Sequence, residues 1–141
     1  LLTSKLSLTQ RNIVQEITLE TNPDDHSLQR LQFWKSLGVN RLSIGIQSFI
    51  DRDLKLMNRA HSAQHAELCV QQAREAGFES LTIDLIYGVP KQSFEEWQSN
   101  VQKAIALKTD HVSAYCLTIE EKTVLHHQVI KGLITEKSAP F

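Results

Sequence analysis

Four short β-type runs, each followed by a helix-like segment, recur along this chain. That alternation points to a parallel sheet with helices packed over it. The runs are Glu16 to Thr21, Arg41 to Ser48, Leu81 to Tyr87 and Val112 to Thr118, and each delivers one polar residue that could face a ligand: Glu20, Gln47, Asp84 and Thr118. In a β/α barrel the active site is built where successive parallel strands end, so the four polar residues read as one distributed site. The expected fold is α/β, a partial (β/α) TIM-like barrel of about four parallel strands with outer helices.

The strand Leu81 to Tyr87 is almost continuously apolar, as a parallel strand covered on both sides should be. Asp84 interrupts it. Burying that carboxylate unpaired would cost several kcal/mol, roughly, so it should meet a cation, hydroxyl donors or a water-filled barrel mouth.

Between the strands, Asn22 to Asp25 breaks the chain and offers carboxylate caps to a helix near Asp25 to Leu37, with Leu28, Leu31, Trp34 and Leu37 as its apolar stripe. Gly38 supplies its stop. A short helix near Asp51 to Asn58 precedes a longer one near Ser62 to Ala76, where Ala66, Cys69, Val70, Ala73 and Ala76 face the sheet, and Gly77 ends it. Ser93 and Glu96 form a capping-box pattern that opens a helix through Leu107, with Phe94, Trp97, Val101, Ala104 and Ile105 on its buried side. A last helix is expected near Lys122 to Lys131. The stretch ahead of the first strand reads as helix-like.

Charge and composition exclude several partners. The formal net charge of -1 over 141 residues gives no basic field for nucleic acid and no polybasic stretch for a membrane surface. No apolar run reaches bilayer length, and Leu1 to Leu8, broken by Thr3, Ser4 and Lys5, lacks a signal-peptide pattern. Cys69 and Cys116 lie far apart and form no metal-ligand spacing, which suits a reducing, cytoplasmic setting. His61 and His65 stand four apart, yet no acidic metalloprotease partner accompanies them, so a capping or surface role is the better reading. His126 and His127 are adjacent and diverge on a helix. Trp34 and Trp97 fall on apolar stripes and should pack against the sheet, and Gly88-Val89-Pro90 is a strand exit rather than a phosphate loop.

Several motifs in fixed order carry a resemblance. Glu20-Thr21-Asn22-Pro23, Gly45-Ile46-Gln47-Ser48-Phe49, Asn58-Arg59-Ala60-His61 and Asp84-Leu85-Ile86-Tyr87-Gly88-Val89-Pro90 together resemble the radical S-adenosylmethionine proteins related to oxygen-independent coproporphyrinogen III oxidase. The similarity runs from about Ile13 to Lys131. Tyr115 to Glu120, followed by Thr123, is more similar to the haem-chaperone branch of that group. The resemblance implies Glu20, Gln47, Arg59, Asp84 and Thr118 as the cofactor-binding set for S-adenosylmethionine. A charge argument then gives Arg59 the methionyl carboxylate and leaves Glu20, Gln47 and Asp84 the ammonium or the ribose hydroxyls. Each has a plainer reading: Glu20 as a helix cap, Gln47 as a strand-end backbone partner, and Arg59 as a helix-end charge.

The same resemblance implies a [4Fe-4S] cluster held by a Cys-x3-Cys-x2-Cys loop, and that motif does not occur in these residues. The chain is therefore expected to be one domain, the middle of such a barrel, without its cluster-binding segment or carboxyl-terminal domain, and inactive alone. The reading placed first is part of an oxidase-like enzyme that decarboxylates porphyrinogen propionates. The alternatives are a haem chaperone on the same scaffold, with haem as its partner, and an unrelated barrel enzyme. An open half-barrel should also expose unpaired strand backbone and an apolar inner face, and so self-associate or be partly disordered.

Overall fold

The computed structural model describes residues 16–121 and 123–132. The expectations placed on residues 1–15 and on Lys122 lie outside this range. The elements follow in the order β1 (Thr18–Thr21), α1 (Leu28–Ser36), β2 (Arg41–Gln47), α2 (Asp51–Leu56), α3 (Ala63–Glu75), β3 (Ser80–Tyr87), α4 (Phe94–Ala106), β4 (His111–Cys116) and α5 (Val124–Ile130). The four strands form one sheet in the order β1-β2-β3-β4, every pair parallel. Helical crossovers between consecutive parallel neighbours are what the α/β alternation requires.

Strand alternation gives the sheet two unlike faces. Leu42, Ile44, Ile46, Leu81, Ile83 and Leu85 point to the helix-covered side, where they pack fully buried with Leu31, Ala66, Cys69, Val70, Ala73, Phe78 and Ala104. Each large aliphatic side chain buried in this way stabilises the fold by about 1.5–3 kcal/mol. The other face carries Thr18 and Glu20 from β1, Arg41 and Ser43 from β2, Thr82 and Asp84 from β3, and Ser113 and Tyr115 from β4. This face is polar, which overturns the expected apolar inner face. The apolar character of the strands belongs mainly to the covered side, with Ile86 the apolar residue that β3 places on the other.

Two helices differ from expectation for local reasons. Pro23–Asp25 forms a separate 3-10 turn, closed by the His26 amide on the Pro23 carbonyl at 3.1 Å, so the first helix starts only at Leu28. Its cap is Ser27, whose hydroxyl accepts from the Arg30 amide at 3.3 Å, and none of the residues 22–25 caps it. In α4 the Ser93–Glu96 capping box forms as expected. However, Phe94 is 53% and Ile105 68% exposed, while Asn100 is buried. The expected helix ends at Gly38 and Gly77 form, with φ of 97° and 88°. Trp34 and Trp97 pack against the core. Among the described residues no helix is long and apolar enough to cross a membrane.

Candidate functional site

The carboxyl end of β2 departs from regular strand geometry. Ile44 pairs with Ile83 and Gln47 with Leu85, so β2 spends one more residue than β3 over this interval. Such a bulge re-aims side chains at a strand end. Gln47 itself has φ of 70°, and the Ser48 amide donates to the Ile46 carbonyl at 2.9 Å, closing a tight γ-turn centred on Gln47. A γ-turn with positive φ at a non-glycine residue is strained. Gly45 makes room beside it: a Cβ there would lie 2.8 Å from the Gln47 amide nitrogen and 3.2 Å from Asn22 Oδ1.

Glu20, Gln47 and Asp84 line one cavity of about 470 Å³ together with Thr18, Arg41, Ser43, Thr82, Ser113 and Tyr115. This is the scale of a small-molecule site. Three strands thus bring two carboxylates and a carboxamide to one place. Burial pushes the Asp84 carboxyl above its ordinary pKa, the Glu20 charge adds to the rise, and the Ser113 hydrogen bond, His111 and Arg41 oppose it. Arg41 supplies a cation to this face that sequence reasoning missed. Its guanidinium donates to Thr82 Oγ1 at 2.7 Å and to Thr18 Oγ1 and Glu16 Oε1 at 3.3 Å each. Its position in the strand, on the face of Ser43 and two residues before it, was the available signal.

Arg59 and Thr118 line a second cavity, of about 370 Å³, with Leu56, Met57, Asn58, Ile86, Leu117, Glu120, Thr123 and Leu125. The five sequence candidates therefore divide between two cavities instead of sharing one. Asn22 bridges them, because its Oδ1 accepts from Arg59 Nη1 at 3.4 Å and sits close to Gly45 beside Gln47. Thr118 is two residues beyond the end of β4 at Cys116, in the loop leading to α5, and not in the strand as expected.

Behind the strand ends lies a buried polar frame. Ser48 Oγ donates to Asp53 Oδ2 at 3.2 Å, and Gln92 Nε2 donates to the same oxygen at 2.9 Å. Gln92 Oε1 accepts from the Gly88 amide at 3.2 Å, so one carboxylate ties the exits of β2 and β3. Asn100 Oδ1 accepts from the Phe49 amide at 2.7 Å, and its Nδ2 donates to Ser48 Oγ at 3.2 Å. Arg52 neutralises Asp53 at 3.0 Å and reaches Glu96 at 2.8 Å. His61, expected at the surface or as a cap, is instead buried, with Nε2 3.0 Å from the Ile46 carbonyl and Nδ1 3.6 Å from Asp24 Oδ2. The Asn100 position, polar within an apolar helical face, was the one sequence sign of this frame.

Among the described residues no three His, Cys, Asp or Glu side chains gather as metal ligands would. Cys69 is buried with Sγ 2.6 Å from His26 Nδ1, and Cys116 is exposed. The residues present suit an organic ligand with cationic and hydroxyl groups, for which two acids and an amide are complementary. They do not suit an iron–sulfur cluster, which thiolates hold.

The profile of the Radical SAM superfamily matches residues 2–104. The chain is 38% identical over 119 residues to the Heme chaperone HemW of Bacillus subtilis, covering 84% of this chain and 31% of that protein. It is 41% identical over 119 residues to the mouse protein named Radical S-adenosyl methionine domain-containing protein 1, mitochondrial, covering 84% of this chain and 27% of that one. It superposes on Escherichia coli coproporphyrinogen III oxidase (HemN), described as a radical SAM enzyme, with a TM-score of 0.73 and 29% identity, over 86% of this chain and 29% of the other. The chain thus spans about a third of the length of the relatives it matches.

Proposed function

This chain belongs to the Radical SAM superfamily, and from that premise we propose that its polar strand-end cavity forms part of an S-adenosylmethionine site in a haem-chaperone-type protein. The observation that carries the cofactor half is the meeting of Glu20, Gln47 and Asp84 on one cavity. The carboxylates would hold the ammonium or ribose hydroxyls, and Gln47 would donate or accept at the same ligand. Arg59, one cavity away through Asn22, would take the methionyl carboxylate.

When bound beside a reduced iron–sulfur cluster, S-adenosylmethionine supplies one-electron chemistry through reductive cleavage of a carbon–sulfur bond. The residues described here bind and orient. Arg41 opposes the rise at Asp84, which still holds its proton to higher pH than an ordinary aspartate.

The haem half of the proposal rests on the relatives. Heme chaperone HemW proteins from Bacillus subtilis, Lactococcus lactis and Escherichia coli are 37–41% identical to this chain, against 29% for the oxidase. This favours the haem-chaperone reading over the oxidase reading that the sequence motifs put first. In the whole protein carrying this chain, stoichiometric haem binding without conversion of coproporphyrinogen III is expected. Turnover of coproporphyrinogen III would return the oxidase reading. For the cofactor, Glu20→Gln combined with Asp84→Asn should weaken S-adenosylmethionine binding by roughly a hundredfold, the scale of two lost charge-assisted hydrogen bonds. Unchanged affinity by calorimetry would remove the assignment.

A further inference from the structure

The geometry points to His61 and Ser48–Asp53 as positioning residues that hold the strained turn at Gln47 so that its carboxamide faces the cavity. This inference rests on the cofactor reading above. It concerns how Gln47 is kept in place, not what it binds.

Three observations carry it. Gln47 has φ of 70° at the centre of a γ-turn, a conformation that a non-glycine residue leaves unless its neighbours are fixed on both sides. On the amino side, the Ile46 carbonyl that closes the turn also lies 3.0 Å from His61 Nε2, which donates to it. On the carboxyl side, Ser48 Oγ donates to Asp53 Oδ2 at 3.2 Å, accepts from Asn100 Nδ2 at 3.2 Å and accepts from the Ile50 amide at 3.1 Å. Ser48 and Asp53 are fully buried, and His61 is 4% exposed.

The polar investment is larger than packing alone requires. Burying a carboxylate, an imidazole and a carboxamide behind a strand end is costly unless each is used, and here their hydrogen bonds converge on the residues flanking Gln47: Ile46, Ser48 and Phe49. His61 Nδ1 has no hydrogen-bond partner, and its nearest charged neighbour is Asp24 Oδ2 at 3.6 Å. The ring is therefore oriented by its bond to Ile46, the residue preceding Gln47.

The test uses the anaerobically purified, cluster-loaded whole protein. Affinity for S-adenosylmethionine is measured by calorimetry for His61→Leu, His61→Gln, Ser48→Ala and Gln47→Ala, with circular dichroism to verify folding. Leucine keeps the volume without the donor, whereas glutamine keeps a donor at similar reach. His61→Leu and Ser48→Ala should each lose affinity roughly tenfold, the equivalent of one hydrogen bond, and His61→Gln should recover most of that loss. Crystal structures of the unliganded variants supply a second readout: in His61→Leu or Ser48→Ala, Gln47 should leave its positive φ. If Gln47→Ala binds as the parent does, the cofactor reading of Gln47 fails and the positioning role goes with it. If Gln47→Ala weakens binding while folded His61→Leu and Ser48→Ala do not, the positioning role alone is overturned. Should His61→Leu fail to fold, Ser48→Ala decides the matter by the same two readouts.

Discussion

Glu20 and Asp84 reach the same cavity from strands that are not neighbours, β1 and β3, with β2 between them. Burial, reinforced by the Glu20 charge, holds the Asp84 carboxyl above its ordinary pKa. A raised carboxyl pKa means that the native state prefers the protonated form. Its contribution to stability is thus fully present below the unfolded value of about 3.9 and is lost as pH rises through the higher folded value. Asp84→Asn, which never ionises, should therefore melt at a higher temperature than the parent at pH 7, with the difference narrowing toward pH 4. The same variant should bind S-adenosylmethionine less tightly. Melting curves across that range check the sign, and a variant less stable at pH 7 would contradict it.

The turn at Gln47 makes a prediction about two small residues. At ordinary positions alanine is more stable than glycine by about 0.5–1 kcal/mol, because glycine has more backbone freedom to lose. At φ of 70° the order should reverse, since alanine suffers the left-handed penalty of about 1–2 kcal/mol and glycine does not. Urea denaturation should rank Gln47→Gly above Gln47→Ala by about 1 kcal/mol, although both lose the carboxamide and bind cofactor weakly. The usual order would mean that residue 47 does not hold a positive φ in solution.

Gly45 separates folding from binding in another way. A methyl group placed there would meet the Gln47 amide nitrogen at 2.8 Å and Asn22 Oδ1 at 3.2 Å, whereas the nearest backbone atom, the Thr21 carbonyl oxygen, is 3.7 Å away. Both close atoms are side-chain ends that can swing aside. Gly45→Ala should therefore fold with little loss, within about 1 kcal/mol, while displacing Gln47 and breaking the Asn22 bridge to Arg59. Affinity for S-adenosylmethionine should drop at least tenfold, roughly, in a protein with a normal melting curve. A large loss of stability with affinity retained would reverse the argument.

These variants also mark where sequence reasoning stops. The parallel strands, their order and most helix ends were legible because periodicity, glycine stops and capping boxes are local signals, as at Gly38, Gly77 and Ser93. The polar inner face was misjudged for a physical reason. Period-2 alternation says that two faces differ, but in a strand such as Ser80–Tyr87 the polar positions are only Ser80, Thr82 and Asp84, and these read as interruptions of an apolar run rather than as a face. Adding Thr18, Glu20, Arg41, Ser43, Ser113 and Tyr115 requires the register between strands, which no single run contains. The frame of Ser48, Asp53, Gln92 and Asn100 left only one local sign, the polar Asn100 in an apolar helical face, for the same reason. Its members lie up to 52 residues apart and meet only after folding. Phe94 and Ile105 fitted a helical stripe and were placed inside, but the buried face of α4 is centred on Asn100 and Ala104.

Cys69 and Cys116 provide a check on the covered side of the sheet. The Cys69 thiol lies 2.6 Å from His26 Nδ1, and His26 Nε2 lies 3.2 Å from Thr21 Oγ1, which fits a thiol donating to Nδ1 and an Nε2–H donating to the hydroxyl. Burial pushes the thiol up to about 12 and the imidazole down to about 4, so both members of the pair are neutral at pH 7. A thiol of that pKa is ionised in roughly one molecule in ten thousand at pH 8, and the thiolate is the reactive species. Alkylation under native conditions, followed by peptide mass spectrometry, should find Cys116 modified and Cys69 spared, with the difference vanishing in denaturant. The histidine adds a pH signature. Below its unfolded value of about 6.5 the unfolded chain takes a proton that the buried ring refuses. The contribution of the histidine is therefore level above pH 6.5 and is lost as pH falls from there through about 4. Equal labelling of the two cysteines in the native protein would show that the helix α3 does not seal Cys69 against His26.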